Sequence, residues 1–116
     1  MKSKKIKYGF KSMLEDSFEL ADRLKLIKFN FKNIFCMTKD SMILAIVLSS
    51  ELKLPIIFSR TRISDDTLMV THLVGKTNQF RKKNTIVSLF IEQKSKLETV
   101  YFNRILKEGQ WIDFSC

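Results

Sequence analysis

Between Asn33 and Val70 the chain alternates apolar runs too continuous to leave one face in water. Asn33-Ile34-Phe35-Cys36-Met37 reads as a buried strand. Thr38-Lys39-Asp40-Ser41 is a polar break in which Asp40 or Ser41 suits a helix N-cap. The following segment, running to about Lys53, carries Ile43, Ala45, Ile46, Val47 and Leu48 and is apolar nearly all round. A helix of that kind is buried. Pro55 to Arg60 is a second strand, and Leu68-Met69-Val70 a third after a short gap. Strands without polar alternation, separated by a helix, predict a mainly parallel α/β sheet with helices covering both faces.

The rest of the chain extends this pattern. Phe10, Leu14, Phe18, Ala21 and Leu24 recur at helical spacing and predict an amphipathic helix over about Gly9 to Lys28. Glu15, Asp16 and Glu19 lie near its start, where the helix dipole favours acids. A short helix is expected around Phe80-Arg81-Lys82-Lys83, a fourth strand over Thr85 to Ile91, and late strands at Tyr101-Phe102 and Trp111-Ile112-Asp113-Phe114. The 116 residues suit a single domain, and a 45% hydrophobic content supports a packed core. Residues 1–8 read as a basic tail, with four lysines in MKSKKIK.

The net charge of +9 favours polyanionic partners, either nucleotides or nucleic acid. No apolar run reaches the length of a membrane span, and the N-terminus lacks the apolar stretch of a secretory signal. Cys36 and Cys116 lie far apart, which together with the missing signal suggests a reducing, cytoplasmic setting.

Several residues invite a chemical reading. Backbone N–H groups at the Thr38–Ser41 break could converge on an anion, with Lys39 adding charge; an ordinary capped turn is the alternative. Gly75-Lys76-Thr77 resembles the end of a P-loop, but Val70 stands where the first glycine would be needed. The loop could still hold phosphate through its amides and Lys76. His72 is the single histidine; with no second ligand nearby it is a poor metal site and reads as structural or solvent-facing. Asp65-Asp66 is either a cation site or a solvated turn. Trp111 either stacks on a base or anchors the C-terminal segment.

These segments, in this order, resemble the type I phosphoribosyltransferases, particularly the short xanthine-guanine branch. The resemblance runs from about Leu14 to Phe114. LAIVLSSELKLPIIFSR is similar to that family's helix, Leu-x-Pro and strand, and QWIDF to its closing segment, whose aromatic packs on the purine. The resemblance implies a phosphate- and nucleotide-binding set of Lys39, Ser41, Gly75, Lys76, Thr77 and Asn78, and a base-binding pair, Trp111 and Ile112. It also implies magnesium, carried with phosphoribosyl pyrophosphate, and a nucleotide or phosphorylated sugar as partner.

The chain departs from the family at the reactive positions. Thr71-His72 replaces the paired acids that hold the ribose hydroxyls. Gly75 replaces the loop aspartate, and Thr77 a loop glycine. Lys39-Asp40-Ser41 stands for Arg-Gly-Gly, and the purine-reading lysine falls at Glu92, with Lys94 and Lys96 close by. The hood loop is reduced to about Thr61–Asp66. Single preorganised groups contribute roughly 3–4 kcal/mol to a transition state, so purine phosphoribosyl transfer is expected to be weak, altered or lost. No catalytic residue is assigned; Asp65, Asp66 and Asp113 are the carboxylates left to compensate. The alternative is an inactive relative that serves as a nucleic-acid- or protein-binding module. A third reading is a structural subunit that forms homo-oligomers through a sheet edge or the Phe-rich helix.

Overall fold

The computed structural model describes residues 4–27, 29–75, 84–93 and 100–114. Among these described residues seven strands and two α-helices follow one another as β1 (Lys4–Lys7), α1 (Phe10–Lys25), β2 (Asn33–Cys36), α2 (Met42–Leu52), β3 (Ile56–Ile57), β4 (Thr67–Val74), β5 (Ile86–Glu92), β6 (Val100–Leu106) and β7 (Gln110–Asp113). Short 3-10 turns at Lys39–Ser41 and Arg60–Arg62 precede α2 and follow β3. The main sheet is parallel throughout, in the order β3-β2-β4-β5-β6. The chain starts this sheet at β2, adds β3 on one side, and then moves to the other side for β4, β5 and β6. The order therefore reverses between β2 and β4, and the carboxyl ends of those two strands border a crevice.

Strand alternation divides the apolar residues between two cores. Ile34, Leu68, Val70 and Val87 join Leu20, Ala21 and Leu24 of α1 and Leu44, Ala45 and Leu48 of α2. Phe35, Met69 and Ile86 point the other way and pack with Ile57, Val74 and Ile91. Both described helices lie in the first core. On the second face, Ile63 packs against the cluster and the Arg60 guanidinium sits 5.5 Å from the Phe35 ring centroid. The helix expected at residues 80–83 lies outside the described residues.

The alternation slips by one residue at His72–Leu73 and at Leu89–Phe90. Val70, Leu73, Leu89 and Phe90 all contribute to the first core, while Val74 and Ile91 turn to the second. The strands step together, keeping Thr71 opposite Ser88 and Leu73 opposite Phe90. The Ser88 hydroxyl donates to the Phe90 carbonyl at 2.6 Å inside this step. Steps of this kind re-aim side chains near the end of a strand.

Four details differ from the sequence expectations. Helix α1 buries Met13, Asp16, Ser17, Leu20, Ala21 and Leu24, whereas Phe10 and Phe18 are exposed. Asp16 does not serve the helix dipole: its carboxylate is buried and accepts from Tyr8 Oη at 2.6 Å and from Arg104 Nε at 2.7 Å. Helix α2 is not apolar-buried all round, since Met42 and Ile46 face solvent. Lys4–Lys7 is not a loose tail but strand β1, parallel to β7 with Lys5 opposite Trp111 and Lys7 opposite Asp113. Within this basic strand only Ile6 is partly buried, and β7 supplies the backbone partners.

Helix α2 ends at Lys53, which adopts the left-handed conformation with φ 56° and ψ 48°. Both the Lys53 and the Leu54 N–H groups donate to the Ser49 carbonyl. Only glycine occupies this region without Cβ strain, which costs other residues about 1–2 kcal/mol. Lys53→Gly should therefore raise the free energy of unfolding by about 1 kcal/mol, read as a higher urea midpoint at unchanged m-value. An unchanged or lower midpoint would show that the cap carries no strain. No described helix is long and apolar enough to cross a membrane.

Candidate functional site

The crevice between β2 and β4 is built by register. Cys36 pairs with Val70, and the Met37 N–H donates to the Val70 carbonyl at 2.8 Å. Two residues further along each strand, Thr38 and His72 come opposite one another. Thr38 Oγ1 lies 2.9 Å from His72 Nδ1. Beneath them a polar cluster closes the turn into α2. Thr38 Oγ1 donates to Ser41 Oγ at 2.9 Å, and Ser41 Oγ donates to the Thr38 carbonyl at 2.9 Å and lies 3.4 Å from the Val70 carbonyl. The Cys36 thiol donates to the Thr38 carbonyl at 3.1 Å and sits 3.3 Å from Ser41 Oγ.

Ser41, expected to hold phosphate, lies beneath the Thr38–His72 contact. Its side chain is fully buried, and its N–H also bonds the Thr38 carbonyl. In this arrangement it braces the turn into α2. Lys39 stands exposed on that turn. Gly75 is buried just past β4. Lys76, Thr77 and Asn78 lie outside the described residues.

Strand β7 provides the opposite wall. A groove of about 310 Å³ is lined by His72 and Leu73 from β4, Glu92 from β5, and Trp111, Ile112 and Phe114 at the C-terminal segment. The Phe114 ring meets His72 edge-on, with centroids 5.5 Å apart. Trp111 is half exposed, with Lys5 Nζ 5.9 Å from its ring centroid. An apolar wall with a few polar groups suits a planar ligand that carries hydrogen-bonding atoms.

Burial holds the His72 imidazole below its ordinary pKa, and the Asp40 carboxylate opposes this more weakly. The ring is thus uncharged at neutral pH. Among the described residues no three His, Cys, Asp or Glu side chains come together as a metal site. The donor set here does not fit a resident divalent cation, because Thr71 and His72 occupy the strand end where carboxylates would be needed.

The groove wall is anchored from behind. The Tyr8 N–H donates to the Asp113 carbonyl at 2.9 Å, and its ring packs edge-on against Phe90 and Phe114. Its hydroxyl reaches Asp16, which also pairs with Arg104. Sequence reasoning missed both this trio and the Thr38–His72 contact. Thr38 and His72 would have emerged from extending the β2–β4 register; for Tyr8, Asp16 and Arg104 no local signal exists.

No protein-family profile matches the chain, and no curated protein matches it. Solved structures do. A hypothetical protein from Neisseria gonorrhoeae with bound ppGpp superposes with a TM-score of 0.72 at 14% identity, over 98% of this chain and 89% of that one. The Helicobacter pylori xanthine-guanine-hypoxanthine phosphoribosyltransferase gives 0.66 at 20% identity, over 97% and 91%. A purine phosphoribosyltransferase from Pyrococcus horikoshii gives 0.67 at 16% identity, over 95% and 91%. With the parallel sheet, its strand order and its closing ribbon in place, the chain has the α/β fold of the type I phosphoribosyltransferases.

Proposed function

We propose that this protein binds a nucleotide or a phosphorylated ribose in the groove between the ends of β2, β4 and β7, with phosphoribosyl transfer weak, altered or lost. The observation that carries this reading is the convergence of His72, from the strand-order reversal, with Trp111 and Ile112 in one groove. Ligands of open α/β sheets bind at that reversal. The neighbours in fold include a protein with bound ppGpp and two purine phosphoribosyltransferases. Trp111 and Ile112 would flank the base; Lys39, Gly75, Lys76, Thr77 and Asn78 would meet the phosphates. Any magnesium would arrive with the pyrophosphate of phosphoribosyl pyrophosphate. Thr71 and His72 cannot supply the charge that paired carboxylates would, so an efficient reaction is not expected.

Isothermal titration with GMP, with ppGpp, and with phosphoribosyl pyrophosphate plus magnesium tests the proposal. Saturable micromolar binding of at least one is expected. Trp111→Ala should weaken it about tenfold, within the roughly 1–3 kcal/mol that a base–aromatic stack contributes. No heat with any of the three would overturn the reading.

A second reading is favoured by one surface feature. Phe58 is 80% exposed and is followed by the exposed Arg60 and Arg62 on the 3-10 turn after β3. An exposed ring followed by two exposed arginines suits a single-stranded nucleic acid. Binding of an oligonucleotide that weakens steeply with salt and is lost in Phe58→Ala, with the nucleotides silent, would favour it.

A further inference from the structure

The hydrogen-bond chain beneath the groove assigns a role to His72 that its position alone does not. Ser41 Oγ, fully buried, directs its proton to a backbone carbonyl: Thr38 at 2.9 Å, with Val70 at 3.4 Å. It can then only accept from Thr38 Oγ1, 2.9 Å away. The Thr38 proton is thereby used. At its 2.9 Å contact with His72 Nδ1, Thr38 Oγ1 must accept, and Nδ1 must carry the proton. A neutral imidazole protonated on Nδ1 has a bare lone pair on Nε2. Among the described residues Nε2 has no hydrogen-bond partner. Thr38 does not line the groove, whereas His72 does, and with Nδ1 held by Thr38 the Nε2 atom is the ring nitrogen left for a groove ligand.

We propose that His72 is a specificity-determining hydrogen-bond acceptor, whose Nε2 selects ligands that place a neutral donor, a ribose hydroxyl or a base N–H, against the end of β4. The proposal rests on the nucleotide-binding reading above and deepens it. It also accounts for what stands at the Thr71-His72 position. A carboxylate there would accept from the same donors but would add a negative charge beside the ligand phosphates. An uncharged acceptor recognises the donor without that repulsion.

Acid should switch the site. Protonation turns Nε2 into a donor, and a ligand O–H or N–H then loses its acceptor. Burial keeps this event below the ordinary histidine value of 6.5. The charged and titratable groups around it are Asp40 on the turn, the Cys36 thiol of β2, Glu92 across the groove, and Asp113 beside Phe114, which pairs with Lys5 at 3.4 Å.

His72 is the single histidine, so its ring nitrogens are resolved without assignment in a long-range 1H–15N spectrum of the labelled full chain. At pH 7.5 the free protein should show a protonated Nδ1 and an unprotonated Nε2. Saturation with GMP should shift Nε2 upfield as it accepts a bond. Repeating this with 2′,3′-dideoxy-GMP separates the two donors: a retained shift identifies a base N–H, a lost shift a ribose hydroxyl. His72→Leu should weaken GMP about fivefold to tenfold, the equivalent of one neutral hydrogen bond. His72→Gln, which places an amide oxygen near the Nε2 position, should recover most of the loss and flatten the decline of binding towards acid pH. The opposite tautomer, an unmoved Nε2 with both nucleotides, or equal affinity in the Leu variant would overturn the assignment while leaving nucleotide binding intact. Absence of binding by any probe would overturn both.

Discussion

Phe90→Ala should lower the free energy of unfolding by about 4 kcal/mol, the largest effect expected of any single substitution here. Phe90 is 1% exposed and sits in β5, between Leu73 of β4 and Arg104 of β6. Its ring meets Tyr8 edge-on, with centroids 4.8 Å apart and planes at 76°. Truncating a buried phenylalanine costs about 3–5 kcal/mol through lost transfer energy and the cavity left behind. Loss of the aromatic pair adds about 0.5–1.5 kcal/mol, so the upper half of that range applies. Urea unfolding followed by far-UV circular dichroism reads the change. Phe90→Leu keeps most of the volume and should cost less than half as much. A loss below about 1.5 kcal/mol in the alanine variant would mean that the step in β5 does not pack as described.

Asp16→Ala should cost about 3 kcal/mol and also disturb the groove. The carboxylate is buried and serves both the Tyr8 hydroxyl and the Arg104 guanidinium, which also lies 5.3 Å from the Tyr8 ring centroid. Removal leaves a buried hydroxyl without its acceptor, at about 1–3 kcal/mol, and ends a charge-assisted bond. Loss of a fully buried ion pair costs about 3–5 kcal/mol. The lower end applies because the Arg104 side chain is nearly half exposed and can return to water. For a domain of this size the melting temperature should fall by roughly 10 °C. Tyr8 leads directly from β1 and bonds Asp113 of β7. Loosening it should therefore red-shift the emission of Trp111, the single tryptophan. Unchanged melting and emission would show that the trio anchors nothing. The same geometry fixes the response to alkali. Burial first, then the bond to Asp16, hold the Tyr8 phenol above its ordinary value of 10.0, with Arg104 opposing. Tyr8 stays protonated in the folded chain after it would ionise in the unfolded one. Its contribution is complete below pH 10 and is lost above it, and Tyr8→Phe should remove that part of the alkaline slope.

The groove depends on pieces that are far apart in the chain. Trp111 and Ile112 reach it because β7 is held by β1, and β1 is held by Tyr8 against Phe90 and Asp16. His72 reaches it because both β4 and β5 step at the same level. The Thr71-His72 dipeptide, read locally, is only a polar pair near a strand end. Placed next to Thr38, His72 joins a hydrogen-bond chain that runs down to the buried Ser41.

What was legible in the sequence is what short-range pattern controls. The apolar runs at 33–37, 68–70 and 85–91 marked parallel, doubly covered strands, because burial on both faces leaves no place for polar alternation. The break at Thr38–Ser41 marked the start of α2. Helix α1 was legible as a helix but not in its rotation. Phe10 and Phe18 outweigh Met13 and Ser17 in hydrophobicity, yet α1 turns the latter inward because Asp16 must meet Tyr8 and Arg104. By itself, then, the sequence determined the sheet class and the absence of carboxylates at Thr71-His72, since both follow from residue type at neighbouring positions. The tertiary structure alone decided the basic strand's docking, the burial of Ser41 and the contact between Thr38 and His72. Each of those rests on hydrogen bonds or strand pairing between residues brought together only when β1 meets β7 and β2 meets β4, and no local pattern encodes the partner of a buried polar atom.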